Sequence, residues 1–260
     1  MYTSTMITDI DDFDFDLFSE HNIGIEIQTF PQHILDSNIN ALIERWKRGL
    51  SGFNSSISLH GSSFDLNPGS TDSKIVEVTR MRYLQSIQIA DSLNASHVIF
   101  HSQVNPLLSV RRIQDLKLNN QIEFWKDLFN KEIPSNINIM IENEYDETYE
   151  DLKKIIDDVN RPNLGICLDI GHALAYSKIS IEEWINKLGD RIKYIHLHWN
   201  DGMDDEHRAP TDEELFHLNQ ILKKNGLSPK ITMEYWVDDV SLEVERIRKY
   251  LLLDRDYDNL

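Results

Sequence analysis

Short apolar runs alternate with longer amphipathic stretches from one end of the chain to the other. The short runs are rich in β-branched and aromatic residues and are bounded by Gly, Asn, Asp or Pro, which is typical of buried strands. They predict eight strands, at residues 2–7, 23–29, 56–60, 97–101, 137–142, 164–169, 192–198 and 231–235. The longer stretches predict the helices between them, near residues 11–20, 36–49, 72–93, 118–130, 147–159, 180–188, 212–225 and 239–252.

The residues at the helix boundaries agree with this alternation. Ser180 and Thr211 are each followed three residues later by Glu, the capping-box pattern of a helix start, and Asn225-Gly226 is typical of a helix end. Eight strand–helix units without a flexible linker or an internal repeat predict one (β/α)8 TIM barrel over residues 1–260. A doubly wound open sheet is the alternative, and it is disfavoured because no Gly-rich phosphate loop follows any strand.

Five of the predicted strands end on a residue that can bind a divalent metal, and the last strand has one at its penultimate position. In a parallel barrel the carboxyl ends of the strands meet at one mouth, and the active sites of such barrels lie there. Nitrogen and oxygen ligands are therefore predicted to gather at this mouth as a metal site and an active site. The six residues are His60, His101, Glu142, Asp169, His198 and Glu234.

Each of these residues also has an ordinary structural explanation. A histidine at a strand end is more often hydrogen-bonded than metal-bound, and a carboxylate there can cap the next helix or pair with arginine. Buried imidazoles and carboxylates are costly unless they are paired or bind a metal, so six in one place favour a metal site. A hydrogen-bonded polar mouth without metal is the alternative.

Residues beyond the strand ends add further ligand candidates. His172 follows Asp169 by three residues, in LDIGH, where the loop is predicted to begin. Asp205 and His207 form a D-x-H pair in the loop after His198, and two ligands spaced in this way can bind the same ion. An ordinary solvated acidic loop is the alternative for this pair.

Alternation along the strands predicts which other side chains face the barrel interior. His196 shares a face with His198, and Trp236, two residues beyond Glu234, is predicted to line the mouth. Both are candidate substrate contacts. Cys167 also points inward, but it lies one layer below the strand ends and is predicted to be core packing, not a thiolate ligand.

Charge and composition restrict the partners of the chain. The net charge of −18 argues against unaided binding to nucleic acid, because neutralising phosphates takes Lys and Arg, although cations among the mouth carboxylates would offset part of it. No stretch reaches the roughly 18 apolar residues of a membrane span. One cysteine and a start without a basic-then-apolar leader predict a cytoplasmic protein. A small molecule is the expected substrate, and the sequence leaves the oligomeric state open.

The segments that carry these residues resemble, in order and spacing, the xylose-isomerase-like barrel superfamily, which is also called AP endonuclease family 2. The superfamily includes endonuclease IV-type DNA-repair enzymes as well as sugar isomerases and epimerases. The resemblance runs from the GIEIQTF strand to Glu234. Its motifs are SLHGSSFDLNPG, VIFHSQ, IMIENEYDET, GICLDIGHA, IHLHWNDGMDDEH and TMEYW.

The resemblance implies up to three metal sites, two of which share a carboxylate. The first is made by His60, His101 and Glu142, the second by Asp169, His198 and Glu234 with Glu142 bridging, and the third by His172, Asp205 and His207. Single-metal epimerases of the superfamily use only the equivalents of Glu142, Asp169, His198 and Glu234.

Two departures from the superfamily bear on function. The D-x-H pair is commonly followed by a Pro-Leu-Gly-x-Gly stretch, and here Arg208-Ala209-Pro210-Thr211-Asp212 lacks those glycines. The segment TFPQHILDSN after the second strand lacks the basic and aromatic loop that a reader of damaged DNA is expected to carry. The first departure affects the third metal site, and the second disfavours DNA repair.

The leading hypothesis is a divalent-metal-dependent isomerase or epimerase that acts on a small sugar or sugar-like hydroxy-carbonyl compound. One to three ions of Zn, Mn, Mg, Co or Fe fit the ligands, and a bound ion would stabilise an enediolate as a Lewis acid. Glu142 and Glu234, from strands on opposite sides of the predicted barrel, would remove a proton from one face and return one to the other.

Three other functions stay open. A three-zinc phosphodiester hydrolase at abasic DNA would use the full ligand set, because such sites activate water and stabilise the leaving oxygen with clustered metals. A multinuclear iron enzyme that modifies a peptide or metabolite would use the same scaffold. A catalytically silent barrel that binds a metabolite or a partner protein is the fourth, and the complete ligand set disfavours it.

Overall fold

Eight parallel strands close into a barrel in which the first strand pairs with the last. The computed structural model describes residues 3–28, 30–105 and 107–251. Every strand is hydrogen-bonded to the next one along the chain, so the predicted (β/α)8 barrel is confirmed. The strands are β1 (Thr3–Ile7), β2 (Gly24–Ile27), β3 (Ile57–His60), β4 (His97–His101), β5 (Asn138–Glu142), β6 (Leu164–Asp169), β7 (Ile192–Leu197) and β8 (Lys230–Met233).

Helices follow the strands on the outside of the barrel. In the described part of the chain they are α1 (Phe15–Glu20), α2 (Gln32–Gly49), α3 (Ser73–Ser92), α4 (Arg111–Lys131), α5 (Glu150–Val159), α6 (Ile170–Tyr176), α7 (Ile181–Leu188), α8 (Asp212–Lys224) and α9 (Val240–Leu251). The predicted boundaries at residues 2, 29 and 252 lie outside the described residues. Among the described residues, no helix has both the length and the apolar character that crossing a membrane requires.

Helix α6 is an element that the sequence pattern did not predict. It begins directly after β6, where the side chain of Asp169 accepts a 2.7 Å hydrogen bond from the backbone N–H of His172 and caps the first turn. A helix of seven residues is too short to show a clear apolar period. His172 therefore lies in the first turn of a helix and not in the predicted loop.

Two other predicted helices differ from the structure. Helix α4 begins at Arg111, seven residues before the predicted start at 118. The predicted helix 11–20 is divided into a short 3-10 turn and α1, because Asp9 and Asp14 each accept a backbone hydrogen bond and start a separate turn. Aspartate side chains that bond the local backbone compete with helix continuation in this way.

The predicted helix caps are confirmed. The Ser180 hydroxyl accepts a 3.1 Å hydrogen bond from the backbone N–H of Glu183. Thr211 and Glu214 form a complete capping box, with each side chain accepting from the backbone N–H of the other. Helix α8 ends directly before Asn225-Gly226, and Gly226 takes the positive φ of 65° that favours glycine.

Strand side chains alternate between the outer helices and the barrel interior, as the period of two predicts. Ile139 and Ile141 belong to the large core under the helices, whereas Met140, Cys167 and Tyr194 belong to a separate cluster inside the barrel. Each of these inner residues lies two positions before Glu142, Asp169 or His196. The interior is therefore filled below the strand ends, and the polar residues at those ends face the mouth.

Candidate metal centre

The structure places all six strand-end candidates at the same end of the barrel. Four of them are the last residues of β3, β4, β5 and β6, and the other two directly follow β7 and β8. The side chains of Glu142, Asp169 and His198 are completely buried, while that of Glu234 keeps 14% of its surface exposed. Because the parallel strands all end at this mouth, residues as far apart in sequence as His60 and Glu234, 174 positions, come together here.

His60, His101 and Glu142 form the first ligand group, with their ligand atoms within 4.8 Å of one another. The Nε2 atoms of the two imidazoles are 3.2 Å apart and lie 3.4 and 3.7 Å from Oε2 of Glu142. Burial opposes ionisation of Glu142, but the neighbouring His196 and His101 outweigh it and hold its pKa well below the ordinary range. The group thus offers two imidazole nitrogens and a carboxylate.

Glu142, Asp169, His196 and Glu234 form a second group at equally short range. Nδ1 of His196 lies 3.0 Å from Oε1 of Glu142 and 3.1 Å from Oε2 of Glu234. Glu142 thus belongs to both groups, which is the position of a bridging ligand. The ligand oxygens of the two glutamates come within 4.8 Å of each other at the mouth, although β5 and β8 are three strands apart, one fewer than the fully opposite position.

His172, His198, Asp205 and His207 form the third group. Oδ2 of Asp205 is 3.3 Å from Nε2 of His172 and 3.2 Å from Nε2 of His207. The rings of His198 and His207 are stacked with centroids 3.9 Å apart. The hydrogen bond to Asp205 is the main cause that raises the pKa of His207 to about 9. The sequence could place Asp205, His207 and His172 only on loops. The structure brings these three residues together in one ligand group with His198.

The loop that carries the D-x-H pair is held without the expected glycines. Trp199 and Arg208 pair through two backbone hydrogen bonds of 2.8 and 3.0 Å, which close the loop at its base. Arg208 binds both oxygens of the Glu214 carboxylate, at 2.7 and 2.9 Å. His207 itself takes the left-handed conformation, with φ of 48°. The strand-like pairing of Trp199 and Arg208 thus holds the loop in place without the glycines expected after the D-x-H pair.

His198 lies between the second and third groups. Its Nε2 atom is 2.9 Å from Oδ1 of Asp169, and its Nδ1 atom is 3.6 Å from Oδ1 of Asp205. The resemblance assigns His198 to the same metal site as Asp169 and Glu234. In the structure, the histidine that groups with Glu142, Asp169 and Glu234 is His196. The close approach of His198 to α6 depends on Gly171, where a Cβ atom would lie 1.9 Å from the imidazole Cε1.

The chemistry of the three groups fits divalent cations. Within the described residues, Oε2 of Glu142, Nδ1 of His198, Oδ1 of Asp205 and Oε2 of Glu234 are buried and make no hydrogen bond. Buried polar atoms normally have a partner, because leaving them unsatisfied is costly, and a bound cation would satisfy these oxygens and this nitrogen. Cys167 forms a further group with Glu142 and His196, within 4.8 Å. Burial raises the pKa of its thiol well above the ordinary value, which disfavours a thiolate ligand, and core packing stays the prediction for this residue.

A cavity of about 250 Å³ opens above the groups, and we call it the metal cavity. Among the predicted residues it is lined by His60, His101, His172, Asp205, His207 and Glu234. Glu142, Asp169, His196 and His198 lie beneath its surface. His196 was predicted to contact substrate, and the structure places it completely buried between two glutamates. Trp236 is 91% exposed and borders a neighbouring cleft.

Sequence reasoning missed Glu26, which is completely buried in β2. Its carboxylate lies 3.0 Å from Nε2 of His196 and accepts hydrogen bonds from Tyr194 (2.7 Å) and Thr232 (3.1 Å). Burial opposes its ionisation, but the adjacent His196 outweighs this and lowers the pKa of Glu26. The sequence did contain a signal for this residue, because Glu26 interrupts the apolar run GIEI. A charge in a buried strand needs a partner, so this carboxylate could have been predicted to contact another polar group inside the barrel.

Glu144 was also missed, although it lies two residues beyond Glu142. It lines the metal cavity, and its carboxylate is 3.1 Å from Nδ1 of His101. A carboxylate that bonds the second nitrogen of a candidate ligand histidine fixes the orientation of the ring. The motif IENEYDE contained this signal as a second carboxylate on the same face of the chain.

Comparison with known proteins agrees with the fold and the motifs. A family model described as a xylose isomerase-like TIM barrel matches residues 21–252. An uncharacterized protein of Methanocaldococcus jannaschii is 30% identical over 245 residues, which cover 90% of this chain and 82% of that protein.

Solved structures with similar folds include a D-tagatose 3-epimerase-like protein, which is 25% identical with a TM-score of 0.73 over 97% of each chain. A protein from Thermus thermophilus, from a crystal soaked with ZnCl2, is 19% identical with a TM-score of 0.73. That match covers 98% of this chain and 100% of the other. The family match includes every strand from β2 to β8 and every predicted metal ligand, so the chain belongs to the xylose isomerase-like TIM barrel family.

Proposed function

We propose that the protein is a divalent-metal-dependent isomerase or epimerase of a small, uncharged hydroxy-carbonyl compound of the sugar type. The observation that carries this proposal is the meeting of two glutamates, Glu142 and Glu234, in one ligand group beneath a small polar cavity. Proton transfer next to a carbonyl needs such carboxylates close to a group that stabilises negative charge on oxygen.

Glu142, Asp169 and Glu234 would hold the catalytic ion. His198 would be the fourth ligand, because its Nε2 atom lies 2.9 Å from Oδ1 of Asp169, whereas both nitrogens of His196 already contact the carboxylates of Glu26 and Glu142. A divalent cation there would supply Lewis-acid stabilisation of the negative charge that develops on the substrate's carbonyl oxygen. The unbonded oxygens of Glu142 and Glu234 provide the ligand capacity for it. His60 and His101 add two imidazoles beside Glu142 and would hold a second ion.

Glu234 is the carboxylate best placed to meet a substrate, because its side chain is partly exposed and lines the metal cavity. An isomerisation that moves a proton between neighbouring carbons on one face needs a single base. Glu234 would take the proton from the carbon bearing the hydroxyl, the C–H electrons would form the carbon–carbon double bond of the enediolate, and the carbonyl π electrons would move onto the carbonyl oxygen. The hydroxyl proton would then pass to that oxygen, and Glu234 would return its proton to the former carbonyl carbon, so that the hydroxyl-bearing carbon becomes the new carbonyl.

An epimerisation needs a second carboxyl group, because the proton must return to the opposite face of the carbon. Glu142 is the candidate, and it is fully buried next to Glu234. Both glutamates lie about 3 Å from Nδ1 of His196, which fixes their relative positions. His196 is itself held from behind by Glu26, 3.0 Å from its other nitrogen. These buried contacts would keep the two carboxylates oriented during turnover.

The lining of the cavity restricts the charge of the substrate. Among the described residues that line it, none is Lys or Arg, whereas Glu144, Asp205 and Glu234 are acidic. A phosphorylated sugar would need cationic side chains or bound cations to offset its charge. The same lining opposes a DNA phosphodiester, in agreement with the net charge of −18. The similarity to a D-tagatose 3-epimerase-like protein supports an uncharged sugar.

Three-metal phosphodiester hydrolysis is the second candidate. The observation in its favour is the third ligand group, which is assembled in full although the loop lacks the expected glycines. A one-ion isomerase has no need for this group. Up to three bound cations would also reduce the acidity of the cavity.

The D-x-H pair separates the two functions. Asp205→Ala and His207→Ala are compared with His217→Ala, a matched control on the exposed side of α8. Metal content is measured by mass spectrometry after purification without added metal, and interconversion of free ketohexoses is followed by chromatography. An isomerase should keep measurable turnover in the first two variants with altered KM, since the ion that carries the chemistry is bound elsewhere.

Binding to abasic duplex DNA is measured in parallel at several salt concentrations. No binding at low salt is expected for a sugar enzyme. Tight binding that weakens steeply with salt, together with loss of one metal and nearly all activity in Asp205→Ala, would establish the hydrolase instead.

A further inference from the structure

A second, larger cleft lies beside the metal cavity, and we call it the apolar cleft. It has a volume of about 700 Å³, almost three times that of the metal cavity. It lies over the ends of β1 and β8, between α1 and the start of α9. Gln28, His207 and Glu234 line both spaces, so a molecule bound at Glu234 can extend from one into the other.

The walls of this cleft are mainly hydrophobic. Leu17 and Phe18 come from α1, Val237 and Val240 from the segment that enters α9, and Trp236 stands at the edge with 91% of its surface exposed. A large indole in solvent is unfavourable, because aromatic side chains are stabilised by burying their apolar surface. An apolar group in the cleft would cover this surface.

Apart from His207, which both spaces share and which pairs with Asp205, the charged residues of the cleft are acidic. Asp12, Asp14 and Glu234 belong to its lining, and no Lys or Arg does so among the described residues. A carboxylate or phosphate placed there would be repelled and would lose its hydration without gaining a partner. The cleft therefore selects a neutral or cationic group.

We propose that the substrate is a polyhydroxy carbonyl compound joined to an apolar substituent, and that the apolar cleft binds this substituent. The proposal rests on the proposed isomerase function and specifies its substrate class. The hydroxy-carbonyl part occupies the metal cavity, and the substituent passes Glu234 and His207 and packs against Trp236. A free hexose would leave the larger of the two spaces empty.

The proposal is tested with hydroxamates, whose common head chelates a bound metal while the tail varies. Acetohydroxamate has almost no tail, octanohydroxamate has an alkyl tail, and suberic acid monohydroxamate has a tail of the same length that ends in a carboxylate. Dissociation constants are measured by titration calorimetry on the zinc-loaded protein and on the same protein after chelation of the metal.

Octanohydroxamate is expected to bind the zinc-loaded protein at least about 30-fold more tightly than acetohydroxamate. A fully buried methylene contributes about fourfold, so burial of about two to three methylenes of the alkyl tail already gives this ratio. The terminal carboxylate should remove most of this gain. In Trp236→Ala the ratio between the two affinities should fall by about fivefold or more. Phe216→Ala is the matched control, because Phe216 is 54% exposed on α8 and lines neither space.

The results separate the two proposals. Equal affinities for acetohydroxamate and octanohydroxamate, or an equal fall of the ratio in Phe216→Ala, would overturn the apolar cleft and leave the isomerase intact. Octanohydroxamate binding that is unchanged by removal of the metal would also overturn it, since the cleft would then bind apolar molecules independently of the site. Absence of any metal-dependent binding of acetohydroxamate would overturn the proposed function itself.

Discussion

Gly171→Ala should weaken metal binding without changing a single ligand. The Cβ atom of the alanine would lie 1.9 Å from Cε1 of His198, 2.2 Å from Nδ1 and 2.5 Å from Nε2. Contacts at a Cβ atom below 3.0 Å essentially never occur and ordinary contacts begin at 3.4 Å, so the imidazole and α6 must separate by about 1.1–1.5 Å from the distance of 1.9 Å. A zinc–nitrogen bond of about 2.0–2.1 Å tolerates a change of about 0.2 Å.

The displaced imidazole can no longer bind the ion in the same geometry. Substitutions of residues that only orient a ligand reduce metal affinity by about 10- to 100-fold, and displacement of the ligand should cost at least about 100-fold, or about 2.8 kcal/mol. The fold itself should change less. Alanine is favoured over glycine inside a helix by about 0.5–1 kcal/mol, which offsets part of the overpacking cost of about 1–3 kcal/mol.

The assay is a competition for zinc against a chromophoric chelator, combined with thermal unfolding of the metal-free protein. Gly165→Ala in β6 is the matched control, because its Cβ atom would meet the flexible side chains of Lys193 at 2.7 Å and Met140 at 3.2 Å. It should alter stability but not zinc affinity. On a His198→Ala background, Gly171→Ala should add no further loss of affinity, since its effect acts through the imidazole. Native zinc affinity in Gly171→Ala would show that His198 is not a ligand.

Two further predictions concern the buried acids. Glu142→Gln should abolish turnover and reduce metal affinity by at least about tenfold, because the carboxylate belongs to three of the ligand groups, whereas Cys167→Ser should keep its metal. An active, fully metallated Glu142→Gln protein would remove this residue from the mechanism. Asp146→Asn should stabilise the protein above pH 7, because burial raises the pKa of Asp146 from 3.8 to about 7. In the unfolded chain Asp146 loses its proton near pH 4, whereas in the folded protein it keeps the proton up to about pH 7. The free energy of unfolding of the wild-type protein therefore falls as the pH rises from about 4 to 7, by at most about 4 kcal/mol. Urea unfolding at pH 5 and pH 8 measures this, and equal pH dependence in wild type and variant would contradict it.

The fold could be predicted from the sequence because its signals are local. Short apolar runs bounded by turn residues gave all eight strands, and the alternation between strand and helix admits few topologies. The position of His60, His101 and Glu142 as last residues of strands then determined their location, since parallel strands in a barrel end at one mouth. The separation of Met140 and Cys167 from the outer core followed from the period of two.

What the sequence could not decide depends on contacts between distant segments. Glu142 is shared between ligand groups, and His198 lies between Asp169 and Asp205. The His198 ring also approaches Gly171 closely. These contacts result from the stagger of neighbouring strands and the rotamers of packed side chains. The contact between Glu26 and His196 could not be predicted, because it forms only when β2 and β7 face the same barrel interior. The apolar cleft likewise formed only when α1 and α9, from opposite ends of the chain, were brought over β1 and β8. Apolar periodicity records whether a side chain is buried, and tertiary packing decides which partner it meets there.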